Sequence, residues 1–248
     1  MSTDLRRSDE RFATRISWLN SKHSFSFGGH YDPANIHFGL LLVNNDDIVS
    51  AGSGFETHPH RDMEIVTWVL SGSLVHQDSE GHTGVLYPGL AQRMSAGTGI
   101  LHSEKNDSWR VTGERHDDPV HFVQMWVVPD ERGIRPGYEQ LDINADLERG
   151  GLVTVASGRR AGKADAAIQI RQQDATLYAA RLAPGEKVTL PAAPYVHVFV
   201  PVGRLEVEGS GVLAAGDSLR LAAADGQRVS AGSDGAEILV WEMHAALV

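Results

Sequence analysis

The chain has 248 residues, 42% of them hydrophobic and 22% charged, which is the composition of an ordinary globular protein rather than a disordered one. Its 22 basic and 32 acidic residues give a net charge of −10, which argues against nonspecific nucleic-acid binding. The absence of cysteine excludes thiolate ligands, iron–sulfur clusters, disulfides and cysteine nucleophiles. No apolar run approaches the roughly 18–20 residues of a membrane span. The first seven residues lack the apolar stretch of a signal peptide, so we expect a cytoplasmic protein without membrane contact.

Short segments rich in β-branched and aromatic residues recur along the chain, and this pattern predicts an all-β barrel or sandwich. In the first half the expected strands are Gly39–Val43, Ile48–Ser50, Ile65–Leu70, Gly84–Tyr87 and His121–Val128. Glycine and proline then mark Asp130–Asp146 as a linker. In the second half the expected strands are Leu152–Ala156, Thr176–Leu182, Val196–Pro201, Arg204–Glu208 and Glu237–Trp241.

Two triplets, His58-Pro59-His60 and His102-Ser103-Glu104, indicate the chemistry of the chain. Each places two metal-ligating residues at i and i+2, and alternate side chains of a β-strand leave the same face. Three imidazoles and one carboxylate suit one divalent transition metal, such as iron, zinc, manganese, nickel, copper or cobalt. Four protein ligands on an octahedral metal leave two positions open for a substrate oxygen or dioxygen.

The residues around these triplets resemble the two sequence motifs of the cupin superfamily. Within it, the segments His23–Phe27, His58–Glu64 and Gly97–Glu104 resemble the pirin family. The resemblance implies a bicupin, two jelly-roll β-barrels in tandem, with the metal inside the mouth of the first barrel. It also implies His58, His60, His102 and Glu104 as ligands, Fe(II) as the expected metal, and Glu104 as a general base during catalysis.

The second half of the chain looks like a degenerate copy of the first. Aligning Gly203 with Gly72 matches Tyr195–Val200 to Glu64–Val69. With this offset and a slightly shorter one, the positions that correspond to the four ligands hold Thr189, Pro191, Val229 and Ala231. We therefore predict an N-terminal metal-binding cupin domain at residues 1–135 and a C-terminal cupin domain without metal at residues 136–248.

Several residues near the triplets have more than one interpretation. Glu64 stands where most cupins carry a ligating glutamate, and it shares the strand parity of His60, so it could also face inward. The pirin resemblance favours Glu104 as the ligand and gives Glu64 a place near the ligands or in the polar core. His76 and His82 flank a predicted hairpin loop, and we expect both to be exposed to solvent. Trp126 is expected in the core first and against substrate second.

Several pirin-like proteins are known as quercetin 2,3-dioxygenases, so the resemblance implies a phenolic or flavonol-like ligand whose ring is opened with O2. The alternative is an iron-dependent regulatory protein that binds a transcription factor or a metabolic enzyme without turnover. The acidic charge is compatible with a protein partner and disfavours direct contact with nucleic acid. The sequence leaves the native metal, the physiological substrate and the oligomeric state open.

Overall fold

The computed structural model describes residues 2–158 and 165–247. The strands of the first half are β1 (Ser2–Arg6), β2 (Phe12–Arg15), β3 (Leu19–His23), β4 (Leu41–Val49), β5 (Gly54–His60), β6 (Glu64–Ser71), β7 (Leu74–Asp78), β8 (Thr83–Leu86), β9 (Leu90–Ser95), β10 (Ile100–Lys105), β11 (Val120–Val127) and β12 (Gly137–Asp142). Those of the second half are β13 (Val153–Ser157), β14 (Ile168–Gln169), β15 (Ala175–Leu182), β16 (Lys187–Thr189), β17 (Ala192–Val207), β18 (Gly211–Ala214), β19 (Ser218–Asp225) and β20 (Arg228–Met243). Two short helices are α1 (Trp109–Thr112) and α2 (Asn144–Leu147).

Three sheets organise these strands. A seven-stranded sheet has the order β12-β9-β6-β11-β4-β3-β2, and a four-stranded sheet with the order β5-β10-β7-β8 faces it across a cavity. A nine-stranded sheet follows the path β1-β19-β17-β20-β15-β13-β14, with β16 and β18 paired at its side. The predicted all-β bicupin class is confirmed. In the described part of the chain, no helix has the length and apolar character needed to cross a membrane.

The inner face of the seven-stranded sheet carries a row of buried polar side chains. Cross-strand partners place their side chains on the same face, and the pairing register joins five such residues in one line. The row consists of His23, Asn45, Gln124, Thr67 and Gln92. All five are buried. A polar row inside a barrel, opposite the two histidine-bearing strands, marks a binding cavity rather than a filled core.

The outer face of the same sheet is apolar and packs against the nine-stranded sheet. Val66, Trp68 and Met125 share one buried cluster with Leu239 and Trp241 of the second half. The indole N–H of Trp241 lies 3.3 Å from the sulfur of Met125. Strand β6 is therefore buried on both faces, which explains why its apolar residues from Ile65 to Leu70 are interrupted only by Thr67 of the polar row rather than alternating with exposed polar residues.

Strands cross the predicted boundary between the two domains in both directions. The N-terminal strand β1 pairs with β19 in the sheet of the second half. Strand β12, which lies within the predicted linker, pairs with β9 in the sheet of the first half. The division at residues 135 and 136 therefore stays a prediction, and each half completes its sheet with a strand contributed by the other side of that division.

Candidate metal centre

The three histidines of the sequence motifs meet at one point. Strands β5 and β10 pair in antiparallel fashion with His58 directly opposite His102, and His60 lies two residues further along the same face. Within the described ranges, His58, His60 and His102 are the one group of at least three potential ligands, with their ligand atoms within 4.8 Å of one another. The Nε2 atoms of His58 and His102 are 3.1 Å apart. Adjacent nitrogens on an octahedral metal with bonds of about 2.1 Å are separated by about 3.0 Å, so this spacing suits two neighbouring ligands.

The donor set fits a metal in a second respect. The Nε2 atom of His60 is buried and has no hydrogen-bond partner. Burial, together with the neighbouring imidazoles, lowers the pKa of His60 to about 4 and that of His102 to about 3. Both rings are therefore neutral near pH 7, which is the form that ligates a divalent metal.

Hydrogen bonds at the far side of two rings orient them toward the centre. The Nδ1 atom of His58 lies 2.7 Å from the carbonyl oxygen of Glu56. The Nδ1 atom of His102 lies 3.4 Å from Nδ1 of His76, and Nε2 of His76 lies 3.1 Å from Asp78. These contacts allow Nδ1–H of His58 to donate to the carbonyl of Glu56, and Nδ1–H of His102 to donate to His76, which in turn donates from Nε2 to Asp78. With the protons placed in this way, the Nε2 atoms of His58 and His102 keep their lone pairs for a metal.

The structure contradicts the expectation that His76 is exposed to solvent. Its side chain is buried, and it faces the cavity side of β7 because β7 pairs with β10 so that His76 lies opposite Glu104. His82 stays partly exposed and donates to the same buried carboxylate of Asp78. Burial opposes ionisation of Asp78, but the hydrogen bonds from His76 and His82 outweigh it and lower the pKa of that carboxyl. The sequence signal that was missed is that His76 stands inside an apolar strand rather than in the turn after it.

Glu104 lies in the same cavity, but the described contacts place it against the opposite sheet. Its carboxylate accepts hydrogen bonds from Nε2 of Gln124 at 2.7 Å and from the hydroxyl of Thr67 at 3.4 Å. The pairing of β10 with β5 shifts register between His102 and Glu104, with the extra residue on β5, whereas β10 pairs with β7 without a shift. Glu104 therefore stays on the face of β10 that carries His102. The group of three imidazoles does not include a Glu104 oxygen, so its role as the fourth ligand stays a prediction.

Glu64 faces away from the cavity. Its Oε2 accepts hydrogen bonds from the hydroxyl of Ser95 and from the backbone N–H of Arg171, each at 2.9 Å. The strand parity that suggested an inward side chain fails because the chain turns between β5 and β6, where Asp62 has a φ of 49°. Of the two roles that the sequence allowed Glu64, the polar-core role matches these contacts.

The cavity in front of the histidines measures about 800 Å³, which is within the range of small-molecule sites. Aromatic side chains form part of its wall, among them Phe27 and Trp126. The ring of Trp126 meets the ring of His60 edge-on, with centroids 4.8 Å apart, and Phe27 contacts Trp126 in the same manner at 5.6 Å. Trp126 therefore lies against a histidine of the candidate metal centre and lines the cavity, which matches the second of the two places that the sequence suggested for it better than the first.

Comparisons with known proteins agree with this geometry. A family model described as Pirin matches residues 5–127, and one described as the quercetinase C-terminal cupin domain matches residues 154–243. The quercetin 2,3-dioxygenase of Escherichia coli K12 is 39% identical over 240 residues, which cover 96% of this chain and 97% of that protein. A Mycobacterium tuberculosis protein, provisionally named a quercetin 2,3-dioxygenase, is 57% identical over 99% of this chain and 97% of its own length. The crystal structure of the bacterial pirin YhhW from Escherichia coli with nickel(II) has a TM-score of 0.85 and 34% identity, and the match covers 98% of this chain and 100% of that one.

Proposed function

Because the chain belongs to the pirin family, we propose that it is a metal-dependent oxidoreductase of the quercetin 2,3-dioxygenase type, which opens a flavonol ring with O2. The observation that carries the proposal is the group of three imidazoles at an 800 Å³ cavity, which His58 and His60 line and where Nε2 of His60 is buried without a hydrogen-bond partner. The Escherichia coli relative that is named for this reaction supports the choice of substrate class.

The proposed ligands of one divalent metal are His58, His60, His102 and Glu104, and the proposed native metal is Fe(II). The related Escherichia coli structure contains nickel, which shows that a bacterial pirin takes a first-row metal. When bound, the metal supplies a Lewis acid that lowers the pKa of a phenolic hydroxyl and an open position for O2.

The protein side chains supply the remaining parts of the mechanism. Glu104 accepts the proton of the phenolic hydroxyl, since its carboxylate lies at the cavity wall and is oriented by Gln124 and Thr67. Phe27 and Trp126 pack against the flat rings of the ligand and keep water from the reacting carbon atoms. The cavity thus combines an apolar site for the rings with a polar site for the hydroxyl group.

Metal analysis paired with an oxygen electrode tests this function. Protein purified without an affinity tag and loaded with Fe(II) should contain one metal per chain and consume O2 when quercetin is added. The double variant His58→Ala/His60→Ala should remain folded while losing both the metal and the oxygen uptake. Metal-loaded protein that consumes no O2 with quercetin would contradict the enzymatic proposal and favour the regulatory alternative. A double variant that unfolds at room temperature would indicate a structural metal.

A further inference from the structure

A second polar group lies in the cavity, on the wall built by β3 and β4. The register pairs Ser21 with Asp47 and His23 with Asn45, so the four side chains form a two-by-two block on one face of the sheet. All four residues are buried, and all four line the cavity that His58 and His60 of the proposed metal centre also line. None of them belongs to the proposed metal centre.

Two of the four side chains, His23 and Asn45, form a hydrogen bond with each other, and His23 forms a second one with Thr14. The Nδ1 atom of His23 lies 2.9 Å from the side-chain oxygen of Asn45, and its Nε2 lies 2.9 Å from the hydroxyl of Thr14. These contacts satisfy both nitrogens of the ring. His23 and Asn45 therefore form a fixed polar wall beside Asp47.

Asp47 lacks the partner that a buried carboxylate ordinarily has. The hydroxyl of Ser21 is its hydrogen-bonding neighbour, while its Oδ1 is buried without any partner. The nearby guanidinium of Arg11 is bonded to Asp46, which also binds His121 at 2.5 Å. Burial raises the pKa of Asp47 to about 7, so a sizeable fraction of this carboxyl is protonated near neutral pH. A buried carboxyl without a cationic partner weakens the free protein, which is the expected cost of a group that serves a ligand.

The position of Asp47 relative to the histidines sets what it can recognise. The histidines stand on β5 and β10, whereas Asp47 stands on β4 of the facing sheet, and facing sheets are separated by about 10 Å. The aromatic side chains of Trp18 and Trp126 line the same cavity. A planar ligand with two ring systems that offers one oxygen to the histidines can therefore offer another to Asp47.

We propose that Asp47 is a specificity-determining residue, which hydrogen-bonds a phenolic hydroxyl of the ligand on a part of the molecule remote from the oxygen that faces the metal-site histidines. The assignment rests on the proposed function, because it takes the ligand to be a flavonol-like polyphenol. A protonated Asp47 donates to that oxygen and an ionised one accepts from the hydroxyl, so either form of the carboxyl serves the same contact.

A comparison of two ligands tests the assignment. Quercetin carries hydroxyl groups on several rings, whereas 3-hydroxyflavone keeps the metal-facing oxygens and lacks the remote hydroxyls. Both are titrated into zinc-loaded protein in the absence of O2, which excludes ring opening with O2, and binding is followed by the shift of flavonol absorption. Asp47→Ala should weaken quercetin binding about 10-fold, the loss expected for one buried hydrogen bond, and change the affinity for 3-hydroxyflavone less than about 2-fold. Asp47→Leu, which leaves less empty space, serves as a second variant with the same expected result.

The outcomes separate this assignment from the function on which it rests. If the variants weaken both ligands equally, or weaken neither, Asp47 is not a contact for the remote hydroxyl and the assignment is wrong. If wild-type protein binds both flavonols with equal affinity, the assignment is also wrong while the proposed function stands. Wild-type protein that binds neither flavonol overturns the proposed function and this assignment together. Thermal unfolding midpoints show that each variant used is folded.

Discussion

At the scale of single residues, two glutamates whose roles the sequence could not separate contact opposite faces of the seven-stranded sheet, Glu104 from the facing sheet and Glu64 from β6. Glu104 reaches into the cavity and is held by Gln124, whereas Glu64 is directed at the second half of the chain and binds the backbone of Arg171. Burial raises the pKa of Glu64, which is what an acidic group in a dry interface experiences. A matched pair of amide substitutions can therefore distinguish their roles.

Glu104→Gln keeps the length of the side chain and one neutral oxygen, but the amide cannot accept a proton near neutral pH. We expect this variant to retain part of its metal and to lose flavonol turnover by roughly 100-fold or more, the scale typical of a lost general base. Glu64→Gln should lose much less of its metal and of its flavonol turnover, since Glu64 lies outside the cavity. Metal content and oxygen uptake, measured side by side, check both variants. Near-normal turnover in Glu104→Gln combined with metal loss in Glu64→Gln would contradict the proposed ligand set.

The same residues show what the sequence could establish about the site. The i, i+2 spacing of His58 and His60 predicted a shared face, and the structure brings them together with His102. His76 could not be assigned in this way, because its contact with His102 depends on the pairing of β7 with β10 rather than on spacing along the chain. The inward direction suggested for Glu64 failed for the related reason that parity does not persist through a turn.

At the scale of elements, strand β4 shows where local propensity misleads. The sequence predicted two short strands, Gly39–Val43 and Ile48–Ser50, because Asn44-Asn45-Asp46-Asp47 contains residues typical of turns. The structure has one strand from Leu41 to Val49, and Asn45 and Asp47 line the cavity. Tertiary contacts outweigh turn propensity here, and the positions that break the local rule belong to the candidate site.

The segment between β3 and β4, which forms part of the cavity wall, is anchored by a residue of the other half. The guanidinium of Arg220 on β19 donates to the carbonyl oxygen of Ser24 at 3.0 Å and to the side chain of Asn35 at 2.7 Å. It also lies 4.5 Å from the ring centre of Phe25. The same segment carries Phe27 into the cavity. The second half of the chain therefore positions a wall of the candidate active site.

Replacing Arg220 with methionine should loosen that wall without touching the histidines. Because two buried oxygens lose their donor, we expect a stability loss of about 1–3 kcal/mol and a several-fold rise in KM for quercetin, with a smaller change in kcat. Arg204→Met, which removes an exposed arginine from neighbouring β17, is the matched control and should leave both quantities unchanged. A lowered unfolding midpoint with unchanged KM would mean that Arg220 serves only the packing between the two halves.

At the scale of the whole molecule, the two barrels differ in what fills them. The first encloses the cavity, whereas the second is filled by an apolar cluster that includes Val198, Leu205, Leu221 and Val229. Val229 and Ala231, which the alignment of the two halves placed at ligand positions, are buried in that cluster. The polar inner surface of the first barrel faces the cavity, whereas the interior of the second barrel is filled by packed apolar side chains.

His197 is an ionisable side chain that lies between the two halves. His197 on β17 is fully buried, neither of its ring nitrogens has a hydrogen-bond partner, and its ring lies 6.0 Å from that of Phe25. Burial, reinforced by the positive charges of Arg220 and Arg11, lowers the pKa of His197 to about 3. In the unfolded chain the same imidazole titrates near its ordinary pKa of about 6.5.

This difference makes folding stability depend on acidity. Below about pH 6.5 the imidazole of the unfolded chain binds a proton, whereas His197 in the folded protein stays neutral down to about pH 3. The free energy of unfolding therefore falls by about 1.4 kcal/mol for each pH unit between these two values as the pH is lowered. His197→Leu should flatten the dependence by about one proton. Urea unfolding of metal-free wild-type and variant protein between pH 7 and pH 4.5 measures it, since His60 and His102 contribute equally to both proteins. Parallel curves for the two proteins would show that His197 is charged or solvated in the folded state, and that the interface between the halves is more open than the described contacts indicate.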